Sequence, residues 1–173
     1  MANHDKFLSH LDSSMEAVWV CAKYLFDMGY EVKIRQMGRA KAHSEWRDAA
    51  DNGDLEICLG GQAKRIEVKG LSCDFQDGAD WPFPDFIVCA SHSWNRADPK
   101  PYAYMILNKH RTHMGIVRGQ DSKDWIKVKR QDQRYMGVEQ EFYLSPLKNV
   151  MWRSIPFNWA RDNLLNSLNS YSA

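Results

Sequence analysis

The stretch Asp54-Leu-Glu-Ile-Cys-Leu-Gly-Gly-Gln-Ala-Lys-Arg-Ile-Glu-Val-Lys69 reads as two short strands joined by a turn. In its first half Leu55, Ile57 and Leu59 alternate with Asp54, Glu56 and Cys58; in its second, Ile66 and Val68 alternate with Glu67 and Lys69. Gly60-Gly61 between them is a hairpin-turn signal. Successive side chains of a strand point to opposite faces. If the aliphatic residues of both strands enter one core, Asp54, Glu56, Glu67 and Lys69 meet on the opposite surface.

Such a cluster has a chemical use. Carboxylates on rigid neighbouring strands make a hard oxygen site suited to Mg²⁺ or Mn²⁺. A metal there lowers the pKa of a bound water and neutralises charge on a phosphate. A lysine beside it orients the nucleophile or stabilises the transition state.

Asp54…Glu67-Val-Lys69 resembles the motif of the PD-(D/E)XK nuclease superfamily, in which an aspartate starts one strand of a hairpin and Glu-X-Lys lies on the next. Gly53 stands where the motif's name has proline. The resemblance implies a restriction-endonuclease-like α/β (α+β) fold, with a mixed central sheet flanked by helices. It implies that Asp54, Glu67 and the Val68 carbonyl bind Mg²⁺ or Mn²⁺, and that Lys69 serves the attacking water. Glu56, on the strand face of Asp54, is a candidate further ligand. Many members place an acid of the first helix near the metal, and Glu16 is the candidate for that role. The alternative for Glu16 is helix capping, because Ser13-Ser-Met-Glu16 fits a capping box. The family comprises restriction enzymes, homing-type endonucleases, junction resolvases and repair nucleases. The expected partner is therefore DNA, double-stranded or structured, with a homodimer as the expected assembly.

Working outward, residues 1–12 read as a loose lead and residues 13–28 as a helix with Met15, Val18, Trp19, Ala22, Leu25 and Phe26 facing the core. Tyr30–Arg35 alternates as a strand. Residues 36–53 are polar and read as a loop, with or without a short helix; the resemblance implies that this segment lies along the substrate, with Arg39, Lys41, His43 and Arg47 as candidate phosphate contacts. Downstream of Lys69, Gly78, Pro82 and Pro84 break any helix, so residues 70–85 are expected to be irregular. Phe86–Ala90, Tyr102–Leu107 and Met114–Arg118 read as strands extending the sheet, with Ser91–Pro101 a loop. Lys109, Arg111 and His113 form a basic turn expected to touch phosphate. Ser122–Trp125 opens a short helix, Gln131–Met136 is a polar loop, Gln140–Leu144 is a strand and Met151–Ile155 packs. These added C-terminal strands lead to a final helix over Trp159–Leu168.

Composition sets the outer bounds. At 173 residues, 44% of them hydrophobic and 26% charged, residues 1–173 suit one domain with a sizeable core. No apolar run approaches the ~20 residues of a membrane span, and the polar start Met-Ala-Asn-His-Asp-Lys lacks a signal-peptide apolar stretch. A cytoplasmic protein with no membrane partner is expected. The four cysteines show no Cys-x-x-Cys pair, which argues against zinc and disulfides; Cys21 and Cys89 read as core. The net charge is +1, yet residues 70–95 carry −4 and residues 96–134 carry +6. That basic region suits a phosphate footprint. Two rival functions remain: a binding module of the same fold without turnover, and a protein-interaction domain using Trp81, Trp94, Trp125 and Trp152. No Gly-x-Ser-x-Gly, dinucleotide fingerprint, His-Glu-x-x-His or P-loop is present, so other enzyme classes fit poorly.

Overall fold

The computed structural model describes residues 2–35, 53–132 and 137–156. Helix α1 spans Ala2–Asp27 and is followed by strand β1, Val32–Ile34. Strands β2 (Leu55–Leu59) and β3 (Gln62–Gly70) form the expected hairpin, with positive φ at both Gly60 and Gly61. After an irregular connection come β4 (Asp85–Ala90) and a short helix α2 (Ser91–Arg96). Strands β5 (Ala103–Leu107), β6 (His113–Arg118), β7 (Ile126–Asp132), β8 (Val138–Pro146) and β9 (Met151–Ser154) complete the described chain.

The fold is mixed α/β, of the α+β kind. A six-stranded sheet runs β1-β2-β3-β5-β6-β9, and β4-β8-β7 make a separate three-stranded sheet. The large sheet is itself mixed: β3 and β5 are parallel, while all its other neighbours are antiparallel. A parallel pair needs a long crossover, and residues 71–102 supply it, carrying β4 and α2 on the way.

Period-2 alternation sends the two faces of the large sheet into two cores. Leu55, Ile57, Ile66, Val68, Ala103, Met105 and Leu107 pack with Val18, Cys21 and Leu25 of α1. Tyr104, Ile106 and Val117 face the other way and pack with Phe75, Trp81, Phe86, Val88 and Trp125. Gly115 permits this second core: a Cβ there would lie 2.6 Å from the Phe86 ring and 2.9 Å from Val150.

Several expectations are corrected. Residues 2–12 are helical, so Ser13 lies inside α1 and the Ser13–Glu16 capping box does not exist. The core stripe of α1 is rotated from the expected one: Val18, Ala22 and Leu25 are buried, but Trp19 is 48% and Phe26 70% exposed, and Ala17, Val20, Cys21 and Tyr24 take their place. Strand β4 does not extend the large sheet but pairs with β8. In consequence the second face of the large sheet is covered, among the described residues, by a small sheet and aromatic loops rather than by a long helix. Residues 91–96, expected as loop, form α2, and Gln131 and Asp132 belong to β7. The tryptophans suggested for a protein interface are core instead: Trp81 and Trp125 are buried, and Trp94 and Trp152 pack half-buried around them. The final helix expected over Trp159–Leu168 lies outside the described residues. No helix among the described residues is long and apolar enough to cross a membrane.

Candidate functional site

The hairpin fixes the geometry. Leu55 pairs with Ile66, so the next step of the antiparallel ladder sets Asp54 beside Glu67. Asp54 is buried, and its Oδ2 accepts a hydrogen bond from the Val68 amide at 2.7 Å. The carboxylate is thereby tied to the backbone of the strand that carries Glu67 and Lys69. Arg65, Glu67 and Lys69 share one face of β3 by their spacing of two, and Glu56 pairs directly with Arg65 from β2.

Glu56 and Glu67 on this face are each held by an arginine. Arg35, at the end of β1, holds Glu56 through its Nη2. Arg65 donates to Glu67 from both Nε, at 2.7 Å, and Nη2, at 2.6 Å, with both side chains largely shielded from water. Opposite charges at this separation attract strongly where water is thin. Sequence reading singled out Glu56 and Glu67 but missed Arg35 and Arg65. The signal was available for Arg65, which precedes Glu67 by two positions and so shares its face.

Lys69 extends over the ring of Tyr104 on β5, with Nζ 6.0 Å from the ring centroid. Parallel pairing matches Tyr104 to Glu67. Tyr104 shares a buried cluster with Cys89 at the end of β4, and burial pushes the pKa of both groups up. The neutral tyrosine and thiol thus form a low-polarity wall beside the Glu67–Lys69 face. His92, on the first turn of α2, is held below its ordinary pKa of 6.5 by burial, then by the Arg96 and Lys69 charges. Because its folded pKa is depressed, the unfolded chain binds the proton more readily, and His92 lowers stability as pH falls below 6.5. The join of β4 to α2 therefore borders the site, a role not visible in the sequence of that loop.

The turn from β5 to β6 lies beyond the end of β3. Asn108, 1% exposed, holds it. Its Nδ2 donates to Asp74 Oδ1 at 2.7 Å, to the Phe75 carbonyl at 3.0 Å and to Thr112 Oγ1 at 3.0 Å. Its Oδ1 accepts from the amides of Thr112 at 2.9 Å and His113 at 3.2 Å. Truncating such a residue strands buried polar groups. Asn108→Ala is expected to lower stability by about 1–3 kcal/mol, read as a fall in urea midpoint at unchanged m; an unchanged midpoint would show that the turn is held by other means.

That clamp decides which basic residues approach the site. Arg111, in the left-handed conformation at φ 58°, folds its guanidinium back over Gly70 at the end of β3 and donates to the Asn108 carbonyl at 2.9 Å. Its charge and that of Asp54 both act on the buried Cys21, whose pKa burial raises. Lys109 is exposed on the same turn, and His113 lies half-buried with Nδ1 3.1 Å from Thr112 Oγ1. Arg39, Lys41, His43 and Arg47 lie outside the described residues. Glu16 is exposed on α1 and makes no hydrogen bond or ion pair among the described residues. The basic stretch after residue 96 is not one open cationic face. Lys127 and Lys129 of β7 stand 3.6 and 3.5 Å from Glu141 and Glu139 of β8, and Arg118 pairs with Asp121.

The donor set can be tested for a metal. Among the described residues no group of three or more His, Cys, Asp and Glu side chains converges as an ion-binding cluster. Asp54 and Glu67 provide two carboxylates on paired strands, and the backbone between Glu67 and Lys69 adds a carbonyl. Two carboxylates suffice for Mg²⁺, which keeps several waters and takes further oxygens from phosphate. The residues fit such an ion, provided that Glu67 is shared with or released by Arg65. Comparison of the chain with protein-family models, curated proteins and solved structures found no match in any of them.

Proposed function

We propose that the protein is a metal-dependent endonuclease that hydrolyses phosphodiester bonds of double-stranded or structured DNA. One observation carries this reading: strand pairing puts Asp54 beside Glu67, with Lys69 on the same face of β3. The element order supports it. A helix and a strand precede a strand opened by Asp54, and Glu67-Val-Lys69 lies on the antiparallel strand that follows, as in a restriction-endonuclease-like core.

Asp54, Glu67 and the Val68 carbonyl would hold Mg²⁺ or Mn²⁺, which supplies a bound water of lowered pKa and neutralises phosphate charge. Asp54, fixed by the Val68 amide, keeps its carboxylate in register with Glu67. Lys69 is directed by the Tyr104 ring, and its ammonium orients the water or offsets charge on the phosphate. Arg111, Lys109 and His113 would form the phosphate-facing edge beyond β3, and Arg39, Lys41, His43 and Arg47 would supply further phosphate contacts. Glu56, held by Arg35, acts on the field of the site rather than as a primary ligand. Affinity resting on such contacts falls as salt rises.

A second reading is favoured by one observation. Arg65 already neutralises Glu67, as in a nucleic-acid-binding module that has no turnover. Labelled linear duplex, single strand, flap, four-way junction and supercoiled plasmid, each incubated with Mg²⁺, Mn²⁺ or EDTA, separate the two. The nuclease reading expects cutting of at least one substrate with metal and none with EDTA. Salt-sensitive binding of these DNAs without cutting would transfer the assignment to the module.

A further inference from the structure

Arg65 is bound to the same carboxylate that the proposed metal needs. Its Nε and Nη2 both donate to a single oxygen, Oε1 of Glu67. The guanidinium is cationic at every accessible pH, and only about 15% of its side chain and 14% of that of Glu67 reach solvent. A divalent ion at Asp54 and Glu67 would add two positive charges beside a third, on one shared carboxylate, where screening by water is weak.

The chain is shaped to let Arg65 take this position. Gly53 has φ +92°, and a Cβ there would lie 2.6 Å from Arg65 Cγ and 2.8 Å from its Nε. No proline could occupy this residue, since its ring fixes φ near −65°. The glycine immediately before Asp54 and the arginine two residues before Glu67 thus form one structural unit. The replacement of the motif's proline becomes the condition for the Arg65–Glu67 pair.

We propose that Arg65 is a positioning residue that occupies Glu67 in place of a metal ion, so that a divalent metal binds only by displacing it. The inference rests on the metal-dependent reading above. Arg65 then sets the metal concentration at which the site fills. Once displaced, its guanidinium remains on the same strand face, where a DNA phosphate is the natural acceptor. Metal and phosphodiester would thus favour each other's binding, by reciprocal linkage.

Competition and ordinary support differ in sign. An outer partner that merely orients a metal ligand weakens metal binding about 10–100-fold when removed. A competing cation strengthens it when removed. The experiment is Mn²⁺ titration of the whole protein without DNA, followed by the electron paramagnetic resonance signal of free Mn²⁺. Wild type is compared with Arg65→Gln, with Arg65→Met, which keeps the apolar stem over Gly53, and with an Arg65→Met, Glu67→Gln double variant. Circular dichroism confirms folding of each. The expected result is Mn²⁺ binding about tenfold or more tighter in both single variants, lost again in the double variant. Unchanged or weaker binding in a folded Arg65→Met variant overturns the proposal while leaving a metal-dependent nuclease intact. Absence of Mn²⁺ binding in wild type and every variant overturns both.

Discussion

Lys69→Met is expected to reduce DNA cleavage by about 10²–10³-fold with little change in DNA affinity or in Mn²⁺ binding. The substitution keeps the aliphatic stem over Tyr104 and removes only the ammonium. If the lysine acts on the attacking water or on charge in the transition state, its loss appears in the rate of the chemical step. Single-turnover cleavage with DNA in excess of its dissociation constant measures that step directly. Glu67→Ala is expected to abolish cutting to a similar or greater extent, but with loss of Mn²⁺ binding as well. Lys69→Met at wild-type rate would remove the lysine from the mechanism and with it the main chemical reason for reading Glu67-Val-Lys69 as a catalytic strand.

Phe86→Ala is expected to destabilise the protein by about 3–5 kcal/mol. Phe86 is fully buried between Trp81, at 4.7 Å between ring centroids, and Trp152, at 5.1 Å, with Phe75 at 6.0 Å. It also fills the space that Gly115 leaves on β6. Rigid aromatic neighbours on β9 and on the connection before β4 collapse poorly into a cavity, which keeps the cost near the upper part of the range. Urea unfolding should show a lower midpoint at unchanged m. Phe26→Ala, by contrast, is expected to stay within about 0.5 kcal/mol of wild type, because Phe26 is exposed on α1. Equal losses at the two positions would contradict this division of the chain into core and surface.

Much of the large sheet was legible. The hairpin from Asp54 to Lys69 announced itself by strict alternation around Gly60-Gly61, and that alternation alone places Glu67 and Lys69 on one face. The all-apolar runs around Ile87 and Met105 also marked buried strands correctly. The helix face was less legible. Met15, Val18, Trp19, Ala22, Leu25 and Phe26 satisfy a helical repeat, but so does the stripe through Ala17, Cys21 and Tyr24. Apolar residues nearly encircle this part of α1, so pattern alone left its rotation open. The sheet beneath decides it: the small Ala17, Cys21 and Ala22 let α1 lie close to β1 and β3, and the bulkier Trp19 and Phe26 are turned outward.

The sequence by itself determined the mixed α/β class, the hairpin and the acid–lysine face, because these depend on residues within a few positions of one another. Only the tertiary structure decided which sheet β4 joins, that Arg111 returns over Gly70 while Lys109 stays in water, and that Arg35 claims Glu56. Strand partners β4 and β8 are separated by some fifty residues of chain, and no local periodicity encodes which edge a buried strand will choose. The Arg35–Glu56 pair is likewise a product of registry. A charge is only a surface residue until strand pairing brings its counter-charge within bonding distance, and here that same registry brings Asp54 to the backbone of Val68.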